Sequence, residues 1–542
     1  MKKLFFLLLV IFFTFSSFSQ EKLIQRKTES FLKIPFNHFD YNDFLGKVSD
    51  SAHTGLKPLH YFEIKSEILL RQYNDLKTGK KSWFGRKLFD EHFFAVTGED
   101  YWFSIDPVVD LRLGKDNLNQ ASSVFQNSRG IRVEGSLGKQ FSFSSTIVEN
   151  YARFPAYFNR YAHITYPEIV PGFGLNKTED KTKADYPYAS GYIAYKPSKF
   201  FFFELGHDMH FIGEGYRSLL LSDNAGVYPY LKVEATFWKV KYTTFWTAFQ
   251  DLRPEVTVNN VYKKKFAAFH YIDWNATPKL NIGFFESVIW YNENRRGFDV
   301  NFLNPLIFFK TVEFESGSGA SNSVIGLSAR YKFPYHIQAY GQFVLDEMTI
   351  DKFFGESGYW GNKFGYQLGL KTYKAFNIPH LFMRLEYNTV RPYTYSHKTI
   401  ANYGHNYQAL AHPWGANFKE TLFEIQYRYR RWYAHNTLIY GKKGFDYLGD
   451  PLTYGGDIYN YVSSVERGMD VQNLQGNLGK VLFDQWEAGY ILNPASHLKI
   501  FGGFIWRKTD IDVEIPLVKN ETTKYIYFGL KSHLWNDHFD VF

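Results

Sequence analysis

The dominant pattern along the chain is alternation of apolar and polar positions with period two. Ile337, Ala339, Gly341, Phe343 and Leu345 alternate with Gln338, Tyr340, Gln342 and Asp346. Leu381, Met383, Leu385 and Tyr387 alternate with Phe382, Arg384, Glu386 and Asn388, and Phe423, Ile425, Tyr427 and Tyr429 with Glu424, Gln426, Arg428 and Arg430. Period two assigns each set to one face of a strand. A single strand of this kind suits a soluble sandwich equally well. Many of them, each about ten residues long, suit strands tilted across a bilayer. After the first residues, every apolar run is interrupted by charge, Gly or Pro within about 10 residues, short of the roughly 20 that a spanning helix needs. The expected fold class is all-β: a transmembrane antiparallel β-barrel of about 18 strands, the number even because single-chain bacterial barrels close that way. The strands are expected between about Leu88 and Trp535, the last through 525–534 and followed by a terminal aromatic, Phe542. Arg384, Glu386, Arg428 and Arg430 would be costly against lipid and are expected to face the lumen.

One stretch breaks the pattern. Residues 206–233 read GHDMHFIGEGYRSLLLSDNAGVYPYLKV. Glycines interrupt them, Leu219, Leu220 and Leu221 form an apolar run, and Ser222, Asp223 and Asn224 are turn formers. On an outer loop the leucines would present a contiguous apolar patch to water. The expected arrangement is an inward-folded segment that plugs or constricts the lumen: it leaves the wall after about Met209, buries Tyr216–Leu221, and rejoins near Tyr228. The residues assigned to it are Gly213, Gly215, Tyr216, Arg217, Leu219, Leu220, Leu221, Ser222 and Asn224. Glu214 and Arg217, three apart, would pair with each other or with lumenal charges if the segment turned helically. Other long connections, among them 393–418, are assigned mostly to the outer surface.

Composition agrees with this fold. The chain has 542 residues, 20% of them aromatic, with 41 Tyr, 55 Phe and 12 Trp, yet its mean hydropathy is only -0.33. A polar lumen, an apolar belt and aromatic girdles give such numbers. Residues 1–19 read as a secretory signal peptide, with Lys2 and Lys3 ahead of an apolar run and small residues at Ser17 and Ser19 before Gln20. Residues 20–58, polar and poorly periodic, are expected to form a periplasmic region, and 59–542 the barrel domain. With no Cys there is neither a disulfide framework nor a lipidated anchor. Removing the two leader lysines lowers the formal charge from +8 to 8 − 2 = +6, too weakly basic to indicate nucleic acid.

Candidate chemistry is sparse. His207 and His210 flank Asp208, but no third metal ligand follows from spacing. Asp446, Asp450, Asp457 and Asp470 share a glycine-rich loop without the spacing of a calcium loop. No motif sets a nucleophile beside a base. No enzyme activity, metal or cofactor is expected. Tyr and Trp offer faces for sugar rings, and lumenal Arg offers partners for acidic sugars.

Several segments resemble the RemB-type gliding motility proteins of Bacteroidetes: FIGEGYRSLLLS at 211–222, FHYIDW at 269–274, GFFESVIW at 283–290, Asn304-Pro305, and YGQFVLDE at 340–347. More loosely, the layout resembles the Wzi-type capsule assembly proteins, in which a Gly-rich and Leu-rich segment followed by Ser and Asn-Ala interrupts the barrel, as at 222–225 here. The paired Trp of that segment is replaced by Phe211 and Ile212. The resemblance implies an outer-membrane barrel acting in gliding and in organising cell-surface material, surface polysaccharide in particular; the expected state is a monomer. Its implied partners are outer-membrane lipid and surface polysaccharide or other gliding-machinery proteins. The alternative is a porin or transporter for a nutrient; an outer-membrane hydrolase is a third class.

Overall fold

The computed structural model describes residues 20–46, 48, 52–64, 66–119, 123–292, 297–304, 321–347, 358–461 and 470–542. The signal peptide expected over 1–19 and Pro305 of the resembling segments lie outside the described residues. Eighteen antiparallel strands form one closed sheet. In chain order they are β1 (Tyr101–Asp116), β2 (Val124–Leu137), β3 (Phe141–Arg153), β4 (Ala184–Tyr195), β5 (Phe201–Asp208), β6 (Tyr228–Phe237), β7 (Val240–Asp251), β8 (Lys263–Trp274), β9 (Leu280–Tyr291), β10 (Ser321–Lys332), β11 (Ile337–Glu347), β12 (Lys363–Thr372), β13 (Leu381–Val390), β14 (Phe418–Tyr429), β15 (Trp432–Phe445), β16 (Asn477–Asn493), β17 (Leu498–Ile511) and β18 (Glu521–Ser532). Each strand pairs with the next, and β18 closes on β1 with Tyr525 opposite Asp116 and Lys531 opposite Asp110. A short strand, Phe94–Thr97, flanks the start of β1, with Phe94 opposite Ile105.

The alternation read from the sequence sorts the two faces. On β13, Leu385 is 51% exposed, whereas Arg384 and Glu386 are buried on the lumenal side. Closure pairs the backbone groups around the wall, which is the condition for crossing lipid with strands. Tight turns gather at one end. The turns after β2, β6 and β14 contain Gly138, Trp238 and Arg430 with φ of +60°, +53° and +52°; such left-handed residues give short hairpins the twist of their strands. The long connections 154–183, 209–227 and 391–417 gather at the other end. By this layout the turn end is periplasmic and the long end faces outward.

Arg430 corrects the expected lumenal set. Strand β14 ends at Tyr429, and Arg430 opens the two-residue turn with its side chain exposed. Once the strand stops, period two no longer predicts direction. The inward charge here is Arg431, which pairs with Asp90 at 2.7 Å.

The lumen is filled by chain from both ends of the sequence. The periplasmic region expected over 20–58 is corrected: much of it lies inside the barrel. The wall, expected from about Leu88, begins with the short strand Phe94–Thr97 and β1 at Tyr101. Helix α1 (Gln20–Glu29) is followed by Phe31, whose N–H donates to Ser142 of β3 at 3.0 Å, and by Lys33, which pairs with Glu204 and Asp208 of β5 at 3.0 and 2.9 Å. Helix α2 (His38–Leu45) places Asn42 against Glu424 of β14 at 3.1 Å. The Gly55 N–H donates to Asp273 of β8 at 3.2 Å. A polar lumen supplies partners for a polar segment, so low hydrophobicity did not keep this region outside. Helices α3 (Ser66–Leu76) and α4 (Trp83–Phe89) follow near the turn end, where Arg431 of the turn after β14 donates to the carbonyls of Leu76 and Phe89.

The wall ends at Ser532, and 533–542 turn back into the lumen. Asn536 donates to Asp223 at 2.7 Å, and the Phe539 carbonyl accepts from Tyr157 of helix α5 (Ala156–His163) at 2.8 Å. The Phe542 ring, expected beyond a final wall strand, is buried at the outer end, 5.0 Å from the rings of Trp414 and Phe445.

Candidate functional site

Between β5 and β6 the chain leaves the wall after Asp208 and rejoins it at Tyr228. Phe211–Ile212 pairs with Leu56–Lys57 of the N-terminal region, and Ile212 bridges back to Leu221. Leu219, Leu220 and Leu221 are each 0% exposed and cluster with Phe269, Phe285, Tyr395 and Tyr403. The hydroxyls of Tyr395 and Tyr403 donate to the carbonyls of Leu219 and Leu220 at 2.7 and 2.6 Å. The Ser222 N–H donates to the Leu410 carbonyl at 2.7 Å, and Asn224 to that of Ala409 at 3.3 Å. Much of the connection 391–417 is therefore buried in the lumen rather than spread over the outer surface.

The segment is not helical over 213–218. Glu214 and Arg217 pair with charges on different parts of the lumen. Glu214 meets Arg330 of β10 at 3.0 Å and Lys371 of β12 at 2.8 Å, and accepts from Thr54. Arg217 meets Glu420 of β14 at 3.1 Å and Asp540 of the C-terminal tail at 3.0 Å. Glu386 of β13 accepts the backbone N–H groups of Tyr216 and Arg217 at 2.8 and 3.0 Å and the Tyr340 hydroxyl at 2.7 Å. A side chain at Gly215 would run into this carboxylate, which explains the glycine. Gln342 of β11 clasps the segment from both sides, donating to the Ile212 carbonyl and accepting from the Leu219 N–H, each at 2.8 Å. The Gly213 carbonyl accepts from Lys57. Tyr216 stacks on His38 at 4.4 Å and donates to Asp540 at 3.0 Å. Arg384 pairs with Glu424 at 3.1 Å and Arg428 with Asp43 at 3.0 Å.

Charge balance follows from these contacts. Burial disfavours an ionised Glu214, but Lys371, Arg330 and Lys57 outweigh it and hold the carboxyl well below its usual range. Lys57 comes from the N-terminal region. Burial pushes its ammonium down to about 7, Glu214 opposes this, and Lys371, Arg384 and Arg330 add to it.

The outer mouth holds a cavity of about 530 Å³. Tyr161, Tyr407, Trp414, Tyr459 and Phe542 give it aromatic walls, and Arg253, Glu255, Lys443, Asp457 and Asn460 bring polar groups. Lys443 donates to the carbonyls of Trp414, Ala416 and Gly456, tying two connections together. Arg253 is held by Asp251 at 2.8 Å and lies 5.5 Å from the Tyr459 ring centre. Its described lining residues include no His, Ser or Cys. Aromatic faces beside fixed polar groups suit a ligand with both apolar C–H faces and hydroxyls. The sequence signals for this cavity were aromatic abundance alone, because its residues come from stretches hundreds of positions apart.

The other sequence candidates stay separate. His207 is exposed and contacts the Ala189 carbonyl at 3.0 Å, while His210 is buried and stacks on Phe245 at 4.8 Å. Asp446, Asp450 and Asp457 accept local hydrogen bonds, from the Tyr454 N–H, the Tyr454 hydroxyl and the Tyr459 N–H.

Neither a protein-family model nor a curated protein matches the chain. Among solved structures it is similar to Wzi, an outer membrane protein involved in group 1 capsule assembly in Escherichia coli and a carbohydrate-binding β-barrel. The TM-score is 0.54 at 12% identity, over 92% of this chain and 99% of that one. It also matches OccAB2 of Acinetobacter baumannii (TM-score 0.43, 10% identity, 79% of this chain and 97% of that one) and OprD of Pseudomonas aeruginosa (TM-score 0.40, 11% identity, 79% and 94%). The closed wall with its apolar outer face makes this chain an outer-membrane β-barrel, with the fold of Wzi at low sequence identity.

Proposed function

We propose that this barrel holds surface polysaccharide at its outer mouth and so organises surface material, in a gliding cell, without opening a pore and without catalysis. The observation that carries this reading is a lumen crossed by the N-terminal region, the segment 209–227 and the C-terminal tail, beneath an aromatic cavity on the outward side. The resemblance to the gliding proteins and the carbohydrate binding of Wzi support the same role. It acts as a monomer, anchored by outer-membrane lipid.

The test is binding of polysaccharide shed from the host surface to purified protein in liposomes, together with liposome swelling. Binding without swelling is expected. Tyr407→Ala combined with Tyr459→Ala removes two ring faces worth about 1 kcal/mol each, weakening binding roughly tenfold or more. Deletion in a gliding host should slow surface spreading while growth stays normal. Swelling in sugar solutions without polysaccharide binding would replace this reading with the nutrient porin.

A further inference from the structure

Helix α4 lies outside the lumen, at the periplasmic rim. Its neighbourhood carries exposed large apolar side chains: Phe84 is 68% exposed, Phe93 57% and Leu88 37%. A contiguous exposed apolar face marks a surface with an occupant. Phe84 and Leu88 are four apart on one helical face, and Lys80 and Lys81 are exposed immediately before it.

The helix is clamped in place rather than trailing. Ser82 caps it by accepting the Gly85 N–H at 3.1 Å. Asn493, at the turn end of β16, donates to the carbonyls of Lys87 and Glu91 at 2.9 and 2.8 Å. Arg431 holds the Phe89 carbonyl at 3.0 Å. The Phe93 N–H donates to Asp106 at the start of the wall at 2.8 Å.

Arg431, Asn493 and Asp106 are buried, inward-facing side chains, so these clamps hold the helix at the mouth of the lumen, with the aromatic girdle of the same rim starting one residue along the chain from Arg431. Trp432, 63% exposed, packs on Tyr490 with ring centres 4.9 Å apart, and Phe94 on Phe103 at 5.9 Å. The girdle is where the outer face of a barrel meets lipid headgroups. Within the helix Arg86 and Lys87 both pair with Glu91, at 2.9 and 3.2 Å, so the charge that complements phosphate is that of the exposed Lys80 and Lys81 ahead of it.

We infer that α4 is an interfacial anchor: Phe84 and Leu88 enter the acyl boundary of the periplasmic leaflet, and Lys80 and Lys81 meet phospholipid phosphates. A short helix with an aromatic and aliphatic face, flanked by exposed cations, binds membranes in this way. Because α4 joins the lumenal N-terminal region to β1, the anchor fixes one end of the plug to the membrane rather than to the wall alone.

The absence of Cys makes the test direct. Single variants Phe84→Cys, Lys80→Cys and Leu385→Cys are spin-labelled in the full chain and reconstituted into vesicles of phosphatidylethanolamine and phosphatidylglycerol. Collision with oxygen and with a water-soluble nickel chelate is then read. The residue-84 label is expected to favour oxygen several-fold over the residue-80 label, approaching the lipid-facing label at 385. Replacing phosphatidylglycerol by phosphatidylcholine, or introducing Lys80→Gln and Lys81→Gln, should lower that ratio. A residue-84 label freely met by the chelate overturns the proposal and indicates a periplasmic protein partner instead. A label shielded from both reagents overturns it as well.

Discussion

At the scale of single residues, the lumen is built from charges whose partners come from distant parts of the chain. Glu214 shows the consequence. Three cations surround it, contributed by β10, β12 and the N-terminal region, and they depress its pKa despite burial. A carboxyl depressed in the folded state binds fewer protons there than in the unfolded chain. Its stabilisation is therefore complete above the ordinary carboxylate range, near pH 4.3, and is lost as pH falls through the lower folded value. Glu214→Gln leaves Arg330 and Lys371 short of a buried partner, at a cost of about 3–5 kcal/mol. In thermal unfolding followed by circular dichroism in detergent, the variant should melt lower at pH 7, and its deficit should shrink on strong acidification. A deficit independent of pH would mean that Glu214 acts through packing rather than charge.

At the scale of elements, alternation fixed which strand faces look outward, because lipid imposes period two wherever the wall crosses it. The segment 209–227 was legible for the complementary reason: glycines and a leucine run fit neither a strand nor a wet loop. Arg430 was misread because a two-residue turn ends the alternation one position early. The N-terminal region and the C-terminal tail were misread because a polar lumen accepts polar chain without periodicity, so Lys33, Asn42 and Asp540 look like surface residues until their partners are seen. The cavity was illegible as a unit, since Tyr161, Tyr407 and Tyr459 carry no local motif. Replacing Leu219, Leu220 and Leu221 by Ser removes apolar burial of about 1.5–3 kcal/mol each and leaves hydroxyls in a cluster that offers them few partners. Conductance in planar bilayers, expected to be low for the unaltered protein, should then rise. Unchanged conductance in a variant that still shows the heat-dependent electrophoretic shift of an intact barrel would remove this segment from the role of constriction.

At the scale of the whole molecule, the barrel inverts the arrangement of a soluble domain. Ion pairs and aromatic rings fill the inside, and the outside is a belt of aliphatic and aromatic side chains such as Leu205, Leu368, Ile526 and Phe528. Depth within that belt has a measurable consequence. Leu368 lies mid-strand in β12, opposite Gly341 and Tyr387, and is 60% exposed. Ile337 also faces outward, 40% exposed, but begins β11 opposite Thr372 at the turn end. An Arg at the midplane of the hydrocarbon costs about 2–4 kcal/mol and near an interface about 0–1, because there the long side chain reaches headgroups. Leu368→Arg should therefore lower stability to urea in phospholipid vesicles well beyond Ile337→Arg, while in detergent micelles, which deform around a charge, the two should converge. Equal costs in vesicles would place the membrane elsewhere on the wall, and with it the assignment of the periplasmic rim that α4 is inferred to anchor.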